Sequence, residues 1–581
     1  MKPLRLGLFC LVMLGPACAD SDVEDGGSSA PPLGRDEPLV CRDGCTLDLR
    51  ATCVGDAPAT TCDEPLRCHA GACIAPCAAA ARHGSMAGCS FSTPVPDTTS
   101  FRSACFALLL FNPATTPAKV AIEYDQIGVD VSRVLRLPRG SGRDIRYERL
   151  AAPEIPPGEL AIGFVADGGP SAPGACPAEI EGAGLVADVA VHGPGIGKGF
   201  HVRSSSPITA HAIYPFGGGT TGIGAATALF PTHSWDTAAL AIEANLPQGD
   251  GPLLQLIAGD SSTELTMMPV APIQGGGAVL GSTPAGQKLT LRPAAGEFVQ
   301  LAQPGQFSLT GSPIEGSRPF GLFAGSPCAH SGVAACDPLF SQIPPRAHLG
   351  NEYVAVRHRN RFDEKDEQTP WHLVGLVGGT VLEYEPAPPP GAPTSLGAGQ
   401  IAQFRSSQPF VVRSQDASHP FYAAAIMESC RVYGTDDDCR GDPEFVGLVP
   451  TSRYGERAAF FSDPSYPETN VVLVRAASAG VFHDVALDCM PKIEGWQRVG
   501  ERFEFARIDL SRGNYEMQGS CGNGAHTLHS KSPITASVWG WGSAATRVAG
   551  GPNTESVSYA YSIVAEPRLD VAPAARGGGT K

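Results

Sequence analysis

The pentapeptide SPITA occurs twice in this chain, at residues 206–210 and again at residues 532–536. Each copy belongs to a longer pattern, in which a strand-like stretch of type F-x-[VL]-x-S leads to a proline and then to a second apolar stretch. The pattern occurs four times: "FHVRSSSPITAHAIYPF" from Phe200, "FSLTGSPIEGSRPFGLFAG" from Phe307, "FVVRSQDASHPFYAAAIM" from Phe410 and "HTLHSKSPITASVWGWG" from His526. Such self-similarity predicts several copies of one supersecondary unit.

The prolines of this pattern set the length of the unit. They are Pro207, Pro319, Pro420 and Pro533, at steps of 112, 101 and 113 residues. We therefore predict about four repeats of roughly 105 residues within residues 86–565. The predicted repeats are 90–235, 236–350, 351–455 and 456–565. Because proline fixes φ and cannot donate to a sheet, we expect each aligned proline at a hairpin corner.

The residue pattern inside a repeat is that of β-strands. Apolar and polar residues alternate in "KVAIEY" and "VLEYE", whereas "CFALLLF" is apolar on both faces. Many glycines and prolines (69 and 53) with only 17% charged residues are typical of short strands joined by turns. We predict an all-β fold, either a propeller-like ring or a row of tandem β-sandwiches. The ring is favoured, because no Pro/Ser-rich linkers separate the repeats.

The N-terminus carries an export signal. Residues 1–19 combine a basic start with an apolar run, and residues 20–40 form an acidic Pro/Gly/Ser-rich stretch that we expect to be a disordered tether. Ordinary secretion fits the end of the signal, and so does a loose bacterial lipoprotein box that would lipidate Cys18. We favour the lipoprotein, because a tether is most useful when its start is anchored. Residues 566–581 are expected to be a disordered tail.

The cysteine content agrees with export. Without Cys10 and Cys18, 16 of the 18 cysteines remain, an even number that predicts disulfides in an exported chain. Eight of them fall within residues 41–89, which we interpret as a small knob stapled by disulfides. Its connectivity stays open, and zinc binding is the less favoured alternative because the spacing lacks paired CxxC motifs.

Several of these segments resemble the N-terminal domain of the IgG Fc-binding protein family. The resemblance is carried by "SSSPITAHAI", "ATALFPTHSW", "GSRPFGLFAGSPCAHSGVAACDPLFSQIPPRAHLGNEYVAV" and "SKSPITASVWGWG", and it covers roughly residues 86–565. The family also places cysteines in the loop that Cys328 and Cys336 would close. For the animal member the resemblance implies binding of immunoglobulin and association with mucins, and for bacterial members it implies no established activity.

Two short loops are the candidate binding surface. Cys328 with Cys336 and Cys430 with Cys439 would close loops after the same strand of the second and third repeats, and rigid loops on a β scaffold commonly bind partners. Plain stapling of the loops is the alternative. The candidate residues are Ser326, Cys328, His330, Cys336, Cys430, Tyr433 and Cys439. We also expect Cys105 to pair with Cys176, and Cys489 with Cys521.

Catalytic and cofactor signals are few. The sequence contains no HExxH, G-x-S-x-G or P-loop motif, and the neighbouring His201 and His211 lack a third metal ligand. Asp436, Asp437 and Asp438 could hold calcium, although a solvated acidic turn is the commoner role, and no other cofactor is expected. Trp539 and Trp541 share one face of a strand and are expected in the core. The net charge of −16 argues against nucleic acid as a partner.

These observations favour a non-enzymatic recognition protein, exported to the bacterial outer membrane as a lipoprotein or secreted freely. Its stapled loops would bind an extracellular protein or glycoconjugate. One alternative is a hydrolase that acts on a polysaccharide with carboxylates from different repeats. Another is a structural envelope protein without a ligand.

Overall fold

The computed structural model of this chain describes residues 41–46, 49–180, 182–246, 248–249, 251–276, 280–305, 307–331, 336–435, 438–547 and 554–566. These residues form 43 strands and two α-helices, which confirms the predicted all-β fold. In this part of the chain, neither helix has the length and apolar character needed to span a bilayer. The predicted signal peptide, the tether and residues 567–581 lie outside the described residues, as do Cys18, Asp436 and Asp437.

Disulfides hold the N-terminal knob together, as predicted. Its elements are β1 (Cys41–Arg42), β2 (Cys45–Thr46), β3 (Ala51–Val54), β4 (Ala57–Thr61), β5 (Arg67–His69), β6 (Ala72–Ile74) and helix α1 (Pro76–His83). The bonds are Cys41–Cys53, Cys45–Cys68, Cys62–Cys73 and Cys77–Cys89. The buried cluster of the knob consists of Leu49 and three half-cystines, so crosslinks take the place of a larger apolar core.

Four modules follow the knob. Module 1 contains β7 (Gly88–Thr93), β8 (Phe106–Phe111), β9 (Ala118–Tyr124), β10 (Ile127–Val129), helix α2 (Val131–Val134), β11 (Leu135–Arg139), β12 (Arg146–Arg149), β13 (Glu154–Ile155), β14 (Leu160–Asp167), β15 (Leu185–Val186), β16 (Gly195–Lys198), β17 (Phe200–Tyr214) and β18 (Ala225–Leu229). Module 2 contains β19 (Asp236–Leu240), β20 (Gln248–Gly249), β21 (Leu253–Ala258), β22 (Leu265–Met267), β23 (Leu289–Leu291), β24 (Glu297–Ala302), β25 (Pro313–His330) and β26 (Asp337–Gln342).

The last two modules repeat the plan. Module 3 contains β27 (Glu352–Ala355), β28 (Thr369–Gly375), β29 (Thr380–Glu385), β30 (Ser395–Leu396), β31 (Ile401–Ser406), β32 (Phe410–Ser414), β33 (Phe421–Met427) and β34 (Glu444–Gly447). Module 4 contains β35 (Gly455–Ser462), β36 (Glu468–Ala476), β37 (Val485–Leu487), β38 (Gln497–Val499), β39 (Phe503–Arg512), β40 (Glu516–Met517), β41 (Gly524–Trp541) and β42 (Ser558–Ile563), and β43 (Ala565–Glu566) ends the described chain.

Strand pairing is the same in every module. Each module has a four-stranded antiparallel sheet. If its strands are numbered along the chain, their order across the sheet is second, first, third, fourth. These sheets are β14-β8-β17-β18, β24-β21-β25-β26, β31-β28-β33-β34 and β39-β36-β41-β42. A three-stranded companion sheet packs on each of them. The companions are β9-β17-β7, β22-β25-β19, β29-β32-β27 and β37-β41-β35. The four segments that carry the sequence pattern therefore form equivalent two-sheet units.

The aligned prolines lie where the third strand passes from one sheet to the other. Pro207, Pro319 and Pro533 lie inside the continuous strands β17, β25 and β41, and Pro420 lies between β32 and β33. The prediction of hairpin corners is therefore wrong. The register of β17 against β7 shifts just before Ile208, and a proline is tolerated there because its missing N–H is not needed at a bulge.

Hydrophobic clusters connect the modules in a closed cycle. The core of module 1 includes Phe298 and Phe340 of module 2, and the core of module 2 includes Tyr422 of module 3. The core of module 3 includes Trp539 of module 4, and the core of module 4 includes Leu109 of module 1. The fourth strands β18, β26, β34 and β42 also contact one another in this order and back to β18. Each module is thus a pair of packed sheets, and the four modules contact one another in a cycle.

Candidate functional site

The loops between the third and fourth strands of the modules contact one another. We call this surface the loop end; it comprises the described residues among 215–224, 331–336, 428–443 and 542–557. The N–H of Ser429 donates to Ser331 Oγ at 2.9 Å, which joins modules 3 and 2. The N–H of Gly441 donates to the carbonyl of Glu555 at 3.3 Å, which joins modules 3 and 4. Hydrogen bonds therefore link the loops of modules 2, 3 and 4 to one another.

The two predicted loop disulfides lie at this surface, since Cys328 bonds to Cys336 and Cys430 to Cys439. The other candidate residues mostly support the loops from inside. Ser326 is buried and its hydroxyl donates to the carbonyl of Gly251 at 3.1 Å. Tyr433 accepts the N–H of Gln368 at 3.0 Å, and His330 is half-buried. The exposed residues among the described part of the loop end are instead Thr220, Arg431, Val432, Thr435, Ala544 and Arg547.

The other two predicted disulfides also form. Cys105 bonds to Cys176 in module 1, and Cys489 bonds to Cys521 in module 4. Together with the four bonds of the knob, every cysteine of the described residues is paired. This bond pattern is typical of proteins that fold in an oxidising compartment.

Two clusters bear on metal binding. Asp438 forms two hydrogen bonds with the Arg440 guanidinium, at 2.8 and 3.1 Å, while calcium at Asp436 and Asp437 stays a prediction because these residues lie outside the described chain. Asp488, Cys489 and His526 bring one ligand atom each within 4.8 Å of the others. The sulfur of Cys489 is already bonded in a disulfide, so this second group lacks a thiolate ligand.

Three carboxyl groups are buried beneath the loop end. Asp337, Asp442 and Glu444 are each at most 4% exposed. Burial raises the pKa of Asp442 to about 6. Burial, and then the carboxyl groups of the other two residues, raises the pKa of Asp337 well above its ordinary value. Burial therefore favours the neutral form of these carboxyl groups. It also closes them to a polysaccharide.

A repeated motif marks this buried group, although the sequence analysis missed it. Asp337 begins "DPLF" and Asp442 begins "DPEF", each shortly after the second cysteine of a stapled loop. Strand pairing makes the two aspartates equivalent, since Phe340 and Phe445 occupy the same register in β26 and β34. Alignment of these two tetrapeptides in the sequence would have identified Asp337 and Asp442 as an equivalent pair.

A Ser–His–Asp chain between modules 1 and 2 resembles a catalytic triad only in its distances. His201 Nδ1 lies 2.7 Å from Ser92 Oγ, and its Nε2 lies 3.0 Å from Asp260 Oδ1. Ser92 is 2% exposed, so its hydroxyl is closed to a substrate. His211, the predicted neighbour of His201, is instead buried against Tyr561 of module 4, with ring centres 4.9 Å apart. The structure therefore does not bring the two histidines together.

Comparison with known proteins identifies a family. A family model described as IgGFc binding protein matches residues 225–540, which is more than half of the chain and runs from β18 almost to the end of β41. No curated protein matches. Among solved structures, an anti-sigma factor domain-containing protein has 8% identity and a TM-score of 0.09, over 57% of this chain and 81% of that chain, which is too dissimilar to support an argument. The chain belongs to the IgGFc binding protein family.

Proposed function

We propose that this protein is an exported, non-catalytic binding protein that holds an extracellular protein against its loop end. The family is named for binding the Fc part of IgG, which is an extracellular protein. The disulfides in the knob and in all four modules support export, because such bonds persist outside the reducing cytosol.

The observation that carries the proposal is the pair of adjacent stapled loops. The loops closed by Cys328–Cys336 and Cys430–Cys439 are fastened to each other through the bond from Ser429 to Ser331. A disulfide across a short loop restricts the conformations that the loop can adopt, so less conformational entropy is lost when a partner binds. Val432, with 39% of its surface exposed, supplies an apolar contact at the outside of this pair.

The buried carboxyl groups support binding over polysaccharide hydrolysis. A glycosidase needs an acid and a base that both reach the sugar. Asp337, Asp442 and Glu444 form a cluster of carboxyl groups from modules 2 and 3, as the hydrolase alternative would require. All three are buried, so they cannot reach a sugar. Their position under the loop end suits a supporting role.

Lipidation of Cys18 is a further part of the proposal. It is supported by the lipoprotein-like end of the signal and by the acidic stretch at residues 20–40, which would act as a spacer. A Cys18→Ser variant expressed in a bacterial host is expected to leave the membrane fraction. Unchanged partition of this variant would remove the anchor from the proposal.

The binding proposal is tested with the mature chain immobilised over an array of extracellular proteins and glycans, including IgG Fc and mucins. We expect a protein ligand whose affinity falls about tenfold in Val432→Glu. Val381→Glu is the matched control, because Val381 is 51% exposed and lies on β29, outside the loop end. Glycan binding alone, equal loss in both variants, or hydrolysis of an arrayed polysaccharide would contradict the proposal.

A further inference from the structure

A cavity of about 230 Å³ opens at the end of module 2 that lies away from the loop end. Strand β26 runs between the two sites, with Asp337 at the loop end and Gln342 at the cavity. The apolar walls come from Trp235, Ile242, Phe320, Leu322, Leu349 and Leu376. A cavity of roughly 150 Å³ already accommodates a benzene ring, so this one has room for a large apolar side chain.

The cavity exists because module 2 lacks a ring that two other modules have. Strand register places Phe91, Ala239, Tyr353 and Ala458 at equivalent positions, opposite Val202, Ile314, Val412 and Leu528. Phe91 and Tyr353 are fully buried and fill the position with an aromatic ring. Ala239 leaves the corresponding space open and lines the cavity.

A second departure keeps the cavity open. Three residues before the aromatic position, modules 1 and 3 have Gly88 and Gly350. A Cβ atom at Gly88 would lie 2.3 Å from Pro231 Cβ, and one at Gly350 would lie 2.4 Å from Pro450 Cβ. Module 2 has Asp236 instead, whose carboxylate accepts the N–H of Arg346 at 2.7 Å. In modules 1 and 3 the chain after the fourth strand packs directly on the glycine. In module 2 the Asp236 side chain occupies that space on β19.

Module 4 shows what covers such a gap. Its equivalent residue, Ala458, is also small, and the strand β43 pairs antiparallel with β35 there, with Ala458 opposite Ala565 and Arg457 opposite Glu566. The equivalent edge in module 2 is that of β19. In the described part of the chain β19 pairs with β25 alone, and Thr237 and Ala238 on it are exposed. Module 2 therefore presents an unpaired strand edge beside an apolar cavity.

One charged side chain of the cavity awaits a partner. Arg346 is exposed at the mouth, and within the described residues its guanidinium forms no ion pair. It favours an acidic residue in the occupant.

We infer that module 2 binds an extended segment of a partner protein, which adds a strand to β19 and inserts a bulky apolar side chain into the cavity. Main-chain hydrogen bonds to the strand edge would provide affinity, and the cavity would provide specificity, as in other cases of β-strand addition. Charge complementarity with Arg346 selects segments in which an acidic residue adjoins the apolar one. This site is separate from the loop end, so its test is independent of the proposed function.

The test uses the mature chain and a displayed library of random extended peptides, followed by fluorescence polarisation with the enriched peptides. Peptides selected by the wild type are expected to combine an aromatic or large aliphatic residue with a neighbouring acid. Ala239→Phe restores the ring that modules 1 and 3 carry and should weaken binding at least about tenfold. Arg346→Glu should weaken the same peptides several-fold and shift selection towards basic residues.

The controls separate loss of binding from loss of fold. Ala239→Phe should unfold at or above the wild-type temperature, because it fills a cavity in the way that two sister modules do, and Ala239→Tyr provides a second filling variant. Val432→Glu at the loop end should bind the peptides normally. The inference is overturned if no peptide is enriched, or if enriched peptides bind the filled variants as tightly as the wild type. It is likewise overturned if the filled variants only dissociate a dimer of this chain, or if removing residues 567–581 is what creates peptide binding, since the occupant is then this chain itself.

Discussion

Replacing Asp442 with asparagine should flatten the pH dependence of stability. Asp442 is 1% exposed, and burial raises its pKa to about 6, whereas an aspartate in an unfolded chain titrates near 4. Between these values the folded state holds a proton that the unfolded state has lost. Stability contributed by this group is therefore complete below about pH 4, is lost as the pH rises to about 6, and stays lost above it.

The magnitude follows from the size of the shift. Two pKa units at 1.36 kcal/mol each correspond to about 3 kcal/mol of unfolding free energy, lost between about pH 3.5 and about pH 7.5. Asp337 and Glu444 should add to this loss in the wild type, because burial raises their pKa values in the same direction. Asparagine at position 442 carries no charge, so its variant should lose about 3 kcal/mol less than the wild type over the same range.

Guanidinium unfolding at pH 3.5 and at pH 7.5 measures this difference. The comparison between the two pH values cancels any uniform cost of placing an amide in the site. Asp363→Asn is the matched control, since the Asp363 side chain is 75% exposed and should retain the wild-type difference. If Asp442→Asn shows the same pH dependence as the wild type, burial of this carboxyl group does not govern acid stability.

Three further substitutions test the packing. Tyr353→Phe should cost about 1–2 kcal/mol by denaturant unfolding, because the tyrosine hydroxyl accepts the buried N–H of Gly350 at 3.0 Å; a neutral result would mean that this N–H finds another partner. Replacing Cys105 and Cys176 together with serine should cost about 4 kcal/mol, since the bond closes a separation of 71 residues, and a loss below 1 kcal/mol would contradict this estimate. Trp541→Ala should cost about 3–5 kcal/mol because this side chain is fully buried, and wild-type thermal stability would show that the site collapses to fill the space.

Local patterns predicted the parts of the fold that repeat. Alternation within short segments and the recurring prolines predicted equivalent β units, and Trp539 and Trp541 are buried as expected. The pattern was misaligned in module 2, where Phe307 was matched to Phe200. Phe307 is 54% exposed and precedes β25, and Ser312 occupies the equivalent position. A single aromatic residue is weak evidence for aligning two repeats when the loop next to it differs in length between them.

The candidate sites were predicted less completely, and the reason is physical. Disulfide loops are visible in sequence because the cysteines are close along the chain. The cavity of module 2 is not visible in sequence. It results from Ala239, and the importance of this alanine emerges only when the strand register places it opposite Ile314. Likewise, the buried carboxyl groups come from two modules, and their shared burial depends on contacts between strands that are far apart in sequence.

The closed cycle of modules has a consequence for how the protein unfolds. A linear array of repeats has two outermost units that fray first and need polar caps. Here each module shares its hydrophobic core with a following neighbour, and module 4 shares its core with module 1. Unfolding of any one module would expose apolar surface on both of its neighbours. We therefore expect no terminal module from which unfolding starts. Genetic deletion of a single module would leave two unmatched apolar faces, so we expect it to destabilise the whole body.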